Sequence, residues 1–152
     1  MVLRLLSQSR YCGPALRSAS APAVKWGIHP SASDRLRAAG VPASQVMRTI
    51  GSAAASAGTH GTDGYVNGQP YSCATDLSAR GMSDAEVCGL LERLGRLGIA
   101  GWYRNPGHDG WPSSEIRHMH VVFAGAKMKS SLRSQINDYH LGRNALAWGL
   151  LR

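Results

Sequence analysis

The segment 117–124 constrains the fold of this 152-residue chain more than any other part of it. It follows a loop at 105–114 that is dense in turn-forming residues, and its apolar and polar side chains alternate as they do in a β-strand. One face of this strand is predicted to carry Met119, Val121 and Phe123. The other face is predicted to carry His118, His120 and Val122, with the two imidazoles roughly 7 Å apart along the backbone.

Helical patterns surround this strand. Residues 83–97 form the clearest helix, because Ser83 and Glu86 make a capping box, leucines recur at helical spacing and Gly98 follows. A second helix is predicted over 129–141, with Leu132 and Ile136 facing inward. The remaining predicted elements are strands at 71–77 and 99–103, a loop at 65–70 around Asn67-Gly68, and helices at 33–39 and 44–50. This order predicts an α+β fold in which helices pack on a small, mostly antiparallel sheet.

The domain boundary is placed at residue 30. Gly-Pro, Ala-Pro and His-Pro pairs punctuate residues 1–30 and predict an irregular N-terminal arm, whereas residues 31–152 are predicted to form a single domain. No stretch approaches the length of a transmembrane helix, and the first residues lack the uninterrupted apolar core of a signal peptide. The sequence therefore assigns no compartment and no oligomeric state.

The charge balance is basic. Lys and Arg number 17 against 9 Asp and Glu, a net charge of +8, which favours polyanionic partners such as nucleic acid, teichoic acid or anionic lipid. The basic residues are scattered, and a scattered excess is typical of an ordinary solvated surface, so nucleic-acid binding is a weak alternative. Cys12, Cys73 and Cys88 lack the spacing of a zinc finger or a redox pair, and are interpreted as buried or free thiols unless two of them form one bridge.

The candidate metal ligands and acid or base residues cluster around residues 115–120. Zinc hydrolases need three protein ligands, an open coordination position and a neighbouring acid or base. His118 and His120 can supply ligands from one face of a strand, and Glu115 precedes them in the loop. His60 lies among small residues that offer no core to bury it, and Asp76 stands within a strand-like segment, where Asp is disfavoured unless it has a partner.

These residues resemble the superfamily of D-alanyl-D-alanine peptidases and hedgehog-type domains. Thr59-His60 and Ala74-Thr75-Asp76 are similar to its first motif, Ser-x-His-x-x-Gly-x-Ala-x-Asp, and the segment 115–120 is similar to its second, a Glu shortly before His or His-x-His. The resemblance covers roughly residues 59–124. It implies His60, Asp76 and His120 as ligands of one Zn²⁺ ion, with Glu115 and His118 as the catalytic groups.

The chain departs from the family pattern in two ways. Fifteen residues separate His60 from Asp76, where the family usually has six, so residues 61–71 would have to loop out and return. Asp63, close to His60, is then a rival ligand. In relatives with a lone His, the Glu stands three positions before the zinc ligand, which would here make His118 the ligand.

Each of these residues also has a structural interpretation. Histidines of a His-x-His pair often face solvent, Asp76 could pair with an arginine, and Glu115 could be a solvated acid. Arg80, Arg104 and Trp111 are candidate substrate-binding residues, because guanidinium groups pair bidentately with carboxylates and indole rings line clefts.

The resemblance implies a zinc metallopeptidase of the D,D-carboxypeptidase or endopeptidase type, which cleaves an amide bond in peptidoglycan stem peptides or a D-Ala-D-Ala-like end. The alternative is a non-catalytic domain of the same fold, with or without zinc, that binds a polyanion or a protein.

Overall fold

The computed structural model describes residues 22–48, 50 and 57–145. The helices are α1 (Pro30–Ala38), α2 (Ala57–His60), α3 (Asp84–Arg96) and α4 (Ser130–His140), with a 3₁₀ turn at Ala43–Gln45. The strands are β1 (Val46–Arg48), β2 (Gly64–Val66), β3 (Gln69–Tyr71), β4 (Ala74–Ser78), β5 (Ile99–Arg104) and β6 (His118–Phe123). The predicted α+β class, with an antiparallel sheet, is confirmed for the part of the chain described.

A four-stranded antiparallel sheet, in the order β1-β4-β6-β5, forms the centre of the fold. Its two faces are buried by different helices. Leu77, Met119 and Val121 face a core cluster that includes residues of α1 and α3, whereas Ala74 and Val122 face a cluster that includes Leu132 of α4. The predicted alternation along β6 is therefore confirmed.

The capping box predicted for α3 is present. The Ser83 side chain accepts from the Glu86 amide, the Glu86 carboxylate accepts from the Ser83 amide, and the helix ends before Gly98, whose φ of 73° is the left-handed conformation. The predicted strand at 99–103 and the predicted helix at 129–141 correspond to β5 and α4 within one residue at each end. Among the described residues no helix combines the length and apolar character needed to cross a membrane.

The prediction of a helix over 44–50 is wrong for the residues of that segment that the structure describes. Residues 43–45 form a single 3₁₀ turn, and β1 follows, with Val46 paired to Leu77 of β4. The Gln45 side chain also donates to the Ser78 carbonyl at 3.0 Å. Pairing with the sheet edge overrides the weak helical pattern, as tertiary contacts commonly do over a short segment.

The His29-Pro30 pair begins a helix instead of ending an arm. Pro30 is the first residue of α1, where its missing N–H costs nothing, and His29 Nδ1 accepts from the Ser31 amide at 3.2 Å. Ile28 is almost fully buried and bridges to Ser72. Residues 1–21 of the predicted arm, residues 51–56 of the small-residue stretch and residues 146–152 of the apolar tail lie outside the described residues.

The predicted loop at 65–70 is the tip of a β-hairpin formed by β2 and β3. Asn67 and Gly68 have φ angles of 50° and 76°, the two positive values that a type I′ hairpin turn requires. The predicted strand at 71–77 is divided, because Tyr71 ends β3 and Ala74 begins β4. The hairpin accounts for most of the long spacing between His60 and Asp76.

Candidate metal centre

Two rows of side chains cross the sheet on the face covered by α4. Asp76 of β4 lies opposite His120 of β6, which lies opposite Trp102 of β5. In the next row Ser78 lies opposite His118, which lies opposite Arg104. Directly opposed residues of antiparallel strands project to the same face, so the register alone brings these side chains together.

His60, Asp76 and His120 form a buried group at the centre of this face. One potential ligand atom from each lies within 4.8 Å of the others. His60 Nε2 is 3.4 Å from Asp76 Oδ2, and His120 Nδ1 is 2.9 Å from Asp76 Oδ1. Ligands bound tetrahedrally at about 2.0–2.2 Å lie roughly 3.3 Å from one another, so this group can hold a metal ion.

The orientation of the imidazoles supports the same conclusion. Each uses one ring nitrogen to contact an oxygen away from Asp76: His60 Nδ1 contacts the Ala74 carbonyl (3.3 Å), His118 Nδ1 the Ile116 carbonyl (2.8 Å) and His120 Nε2 the Gln135 Oε1 (2.9 Å). Each ring thus turns its second nitrogen towards Asp76, where that nitrogen can donate to the carboxylate when it is protonated and can bind a metal ion when it is not.

His118 lies beside this group, at a slightly greater distance. Its Nε2 is 3.8 Å from Asp76 Oδ1, and the Trp111 ring packs edge-on against its imidazole at 5.2 Å. Burial lowers the pKa of His118, against smaller opposing effects of the Ile116 hydrogen bond and the Asp76 charge. The imidazole is therefore neutral at neutral pH, with a lone pair that can bind a metal or accept a proton.

Asp76 remains ionised despite its burial. Desolvation raises its pKa, but hydrogen bonds and charge interactions with His120 and His60 outweigh that effect and hold the pKa well below its ordinary value. A carboxylate that is 6 % exposed thus keeps its negative charge. The centre therefore has both the charge and the donor atoms that suit a divalent cation.

Glu115, the predicted acid or base, lies apart from the group. It is exposed in the loop before β6, and its carboxylate contacts no residue of the described structure. Its neighbour Arg117 is anchored, donating to the carbonyls of Ala79 and Met82 at 3.0 and 2.6 Å and to the Asp84 carboxylate at 2.8 Å. Glu115 is thus outside the buried group in this structure, while its neighbour Arg117 is fixed to the segment before α3.

Asp63, the rival ligand, has another role. Its buried carboxylate accepts from the amides of Cys73 (2.7 Å) and Lys129 (2.8 Å) and pairs with Lys129 Nζ at 3.0 Å. Its own amide donates to the Tyr71 carbonyl at 2.8 Å. Asp63 therefore closes the base of the hairpin and returns the chain to the sheet, so that His60 and Asp76 can meet.

The candidate substrate-binding residues divide into two places. Arg104 and Trp111 lie at the centre, with the Arg104 guanidinium 5.7 Å from the Trp111 ring. Arg80 lines a different cavity, of about 410 Å³, with residues of the α1–β1 connection and α3. In the part of the chain described, Arg80 makes no contact with the His60–Asp76–His120 group.

Gln135 is a site residue that sequence analysis missed, and Trp102 is one for which the sequence left both a cleft-lining and a core position open. Gln135 of α4 contacts His120, and the Trp102 ring stacks on His120 with centroids 5.9 Å apart. Gln135 could have been found, because it is a polar residue on the inward stripe of α4 between Leu132 and Ile136. Trp102 gave no such signal, since an aromatic residue in a strand is ordinarily core.

Comparison of the chain with family models, curated proteins and solved structures finds no match. The likeness to D-alanyl-D-alanine peptidases therefore rests on the sequence motifs alone.

Proposed function

We propose that this chain is a zinc-dependent hydrolase that cleaves an amide bond, in peptidoglycan stem peptides or a D-Ala-D-Ala-like peptide end. The observation that carries the proposal is the buried group of His60, Asp76 and His120, whose potential ligand atoms lie within 4.8 Å of one another. Nitrogen and carboxylate donors in a group of three suit Zn²⁺ and leave a coordination position open, as catalytic zinc sites do. The same proposal includes the fold: the chain would share the fold of hedgehog-type domains and D-alanyl-D-alanine peptidases.

The residues of the chain have distinct roles in this proposal. His60, Asp76 and His120 hold the ion, and a bound zinc ion would polarise the scissile carbonyl and acidify the attacking water. His118, buried beside Asp76 with Nε2 unprotonated, is placed to take a proton and return it to the leaving amine. Glu115 takes this role if its loop closes over the centre when substrate binds, since catalytic contacts often form only in the complex.

The test combines metal analysis with hydrolysis assays. We expect the purified chain to bind zinc at one site, and to hydrolyse muropeptides or peptides ending in D-Ala-D-Ala with activity that chelation removes and zinc restores. Removal of a general acid or base typically lowers kcat about 10²–10⁴-fold. Glu115→Gln and His118→Asn should therefore both retain zinc, and the one with the larger loss of kcat identifies the proton-transfer residue.

The control is Asp34→Asn, an exposed acid of α1 that pairs with Arg37. This variant should hydrolyse at the wild-type rate. Loss of zinc from His118→Asn would instead make His118 a ligand, as in relatives with a lone His. If the wild type binds zinc but is as inert as Glu115→Gln on every peptide, the chain is a binding domain and the hydrolase proposal is wrong.

A further inference from the structure

Arg104 is a buried cation beside the candidate metal centre. It is 5 % exposed, and burial lowers the pKa of its guanidinium to about 10, although the charges of Asp76 and Asp109 oppose that change. The group is therefore still charged at neutral pH. Within the described residues it makes one hydrogen bond, from Nη1 to the Asn144 carbonyl at 2.8 Å, and no ion pair. A buried charge that makes no close ion pair is costly, and a bound anion would offset that cost.

Two indole rings hold the guanidinium in place. Its central carbon lies 5.8 Å from the Trp102 ring and 5.7 Å from the Trp111 ring, within the range of a cation–π interaction. The Trp111 Nε1 atom is itself buried and has no hydrogen-bond acceptor among the described residues. Arg104 and Trp111 thus both have N–H groups from which no described residue accepts a hydrogen bond, so a ligand that binds beside them should supply acceptors.

Arg104 lies in the row of side chains next to the metal centre. It is opposite His118, which is two residues from His120 on β6, so the two rows are about 7 Å apart along the strands. The Asp76 charge acts on the Arg104 guanidinium, so the two groups are near each other. The carboxylate of a residue that follows a carbonyl at the centre could therefore reach the guanidinium, since consecutive Cα atoms of a peptide are about 3.8 Å apart.

The space beside β5 also favours a short peptide end. A cavity of about 260 Å³ is lined by Trp102, Arg104, Asp109, Tyr139 and Asn144, together with residues of α3. This is smaller than the roughly 300–1,000 Å³ of sites that enclose drug-sized ligands. The cavity borders Arg104 but is not lined by His60, Asp76 or His120, so it could hold a terminal residue beyond the reacting carbonyl and not the carbonyl itself.

We infer that Arg104 determines substrate specificity by binding the free α-carboxylate at the C-terminus of the substrate, so that the chain is a carboxypeptidase and not an endopeptidase. This inference rests on the proposed hydrolase function. A planar guanidinium binds a carboxylate through two parallel N–H···O bonds, and the flanking indole rings keep it in one orientation.

The first test needs no variant. Two peptides that differ only at the C-terminus, one a free acid and one an amide, are compared as substrates of the wild-type chain. Hydrogen bonds to charged groups are strong enough that the free acid should be hydrolysed with a kcat/KM about 10- to 100-fold higher. Equal rates on the two peptides would overturn the inference, whereas hydrolysis of neither would instead overturn the proposed function.

The second test uses Arg104→Gln and Arg104→Lys. Arg104→Gln should lose the preference for the free acid, chiefly through a higher KM for that peptide, so that its kcat/KM values on the two peptides become equal. Arg104→Lys keeps the charge without the planar pair of donors, so it should retain part of the preference. The matched control is Arg96→Gln, which removes the same charge from the exposed face of α3 and should leave the preference unchanged.

The amide substrate also reports on folding and on other roles of Arg104. If Arg104→Gln lowers kcat on both peptides by the same factor while zinc content is retained, Arg104 acts on the reacting carbonyl or on the fold, and the inference is wrong. If Arg104→Gln does not fold, Arg104→Lys and the wild-type comparison decide.

Discussion

The Asp76 carboxylate lies among the nitrogens of three imidazoles, and one of these rings, His120, makes two contacts that both call for its proton. His120 Nδ1 at 2.9 Å can donate to it only if the ring does not already hold its proton on Nε2, which contacts Gln135. The two contacts compete for the one proton of a neutral ring. A metal ion removes this competition, because Nδ1 then coordinates the ion while Nε2–H donates to Gln135.

Gln135 is thus predicted to set the affinity for the metal without contacting it. Gln135→Leu removes the acceptor that fixes the His120 tautomer, and loss of such a partner typically lowers metal affinity about 10- to 100-fold. Gln135→Glu provides a charged acceptor and should retain or strengthen binding. The dissociation constant for zinc, measured by competition with a chromophoric chelator, checks both variants.

The control for Gln135 is Ser134→Ala, a change at an exposed position of the same helix. It should leave zinc affinity at the wild-type value. An unchanged zinc affinity in Gln135→Leu would mean that the ion, if bound, does not use His120 Nδ1.

At the scale of elements, the sequence predicts correctly those features that depend only on residues close together in the chain. The capping box specified α3, and the alternation along 117–124 specified which face of β6 carries the histidines. The helical pattern of segment 44–50 is weak. Pairing with β4 overrides it and makes Val46 part of a strand. The role of Lys129 could not be assigned from sequence, because it depends on where α2 comes to lie, whereas the inward position of Gln135 on α4 could have been recognised.

The segment that carries His60 is held in place mainly from outside. A helix of four residues is not stable by itself. Lys129, at the start of α4, donates from Nζ to the carbonyls of Thr59 at 3.0 Å and Gly61 at 2.9 Å, and pairs with Asp63 at 3.0 Å. We call this contact set between Lys129, Thr59, Gly61 and Asp63 the α2 clamp.

Cys73 provides a probe of the α2 clamp. Its amide donates to Asp63, and its thiol is buried with a pKa raised to about 12, chiefly by burial and secondarily by the Asp63 charge. Because the thiolate is the reactive form, Cys73 should react with a disulfide reagent at pH 8 only when the region opens. Lys129→Met should accelerate this labelling about tenfold or more in a background that lacks Cys12 and Cys88, monitored by release of the chromophore.

The direction of that change is diagnostic. The Lys129 charge lowers the pKa of Cys73, so its removal alone would make the thiol less reactive, and faster labelling reports opening of the clamp. The matched control is Lys127→Met, which removes an exposed ammonium two residues away and keeps the backbone carbonyl that contacts Cys73. Equal labelling rates in all three proteins would show that Lys129 does not restrain the segment.

Across the whole molecule, the candidate metal centre joins α2, β4 and β6, which are separated in sequence by the hairpin and by α3 and β5. A ligand that binds only the folded chain stabilises it according to its concentration relative to the dissociation constant. The unfolded chain cannot bring residues 60, 76 and 120 together, so the binding free energy of the metal should contribute to folding stability.

We therefore expect zinc to raise the melting temperature of the chain. At a free concentration about 1,000-fold above the dissociation constant, binding adds about 4 kcal/mol, which for a chain of this size corresponds to roughly 8–16 °C. Asp76→Asn keeps the shape of the side chain but removes its charge, so most of the shift should disappear, whereas Asp34→Asn should preserve it. Scanning calorimetry with zinc and with chelator measures both variants. A full shift in Asp76→Asn would mean that zinc binds elsewhere, because an amide next to two imidazoles cannot replace an anionic ligand at equal affinity.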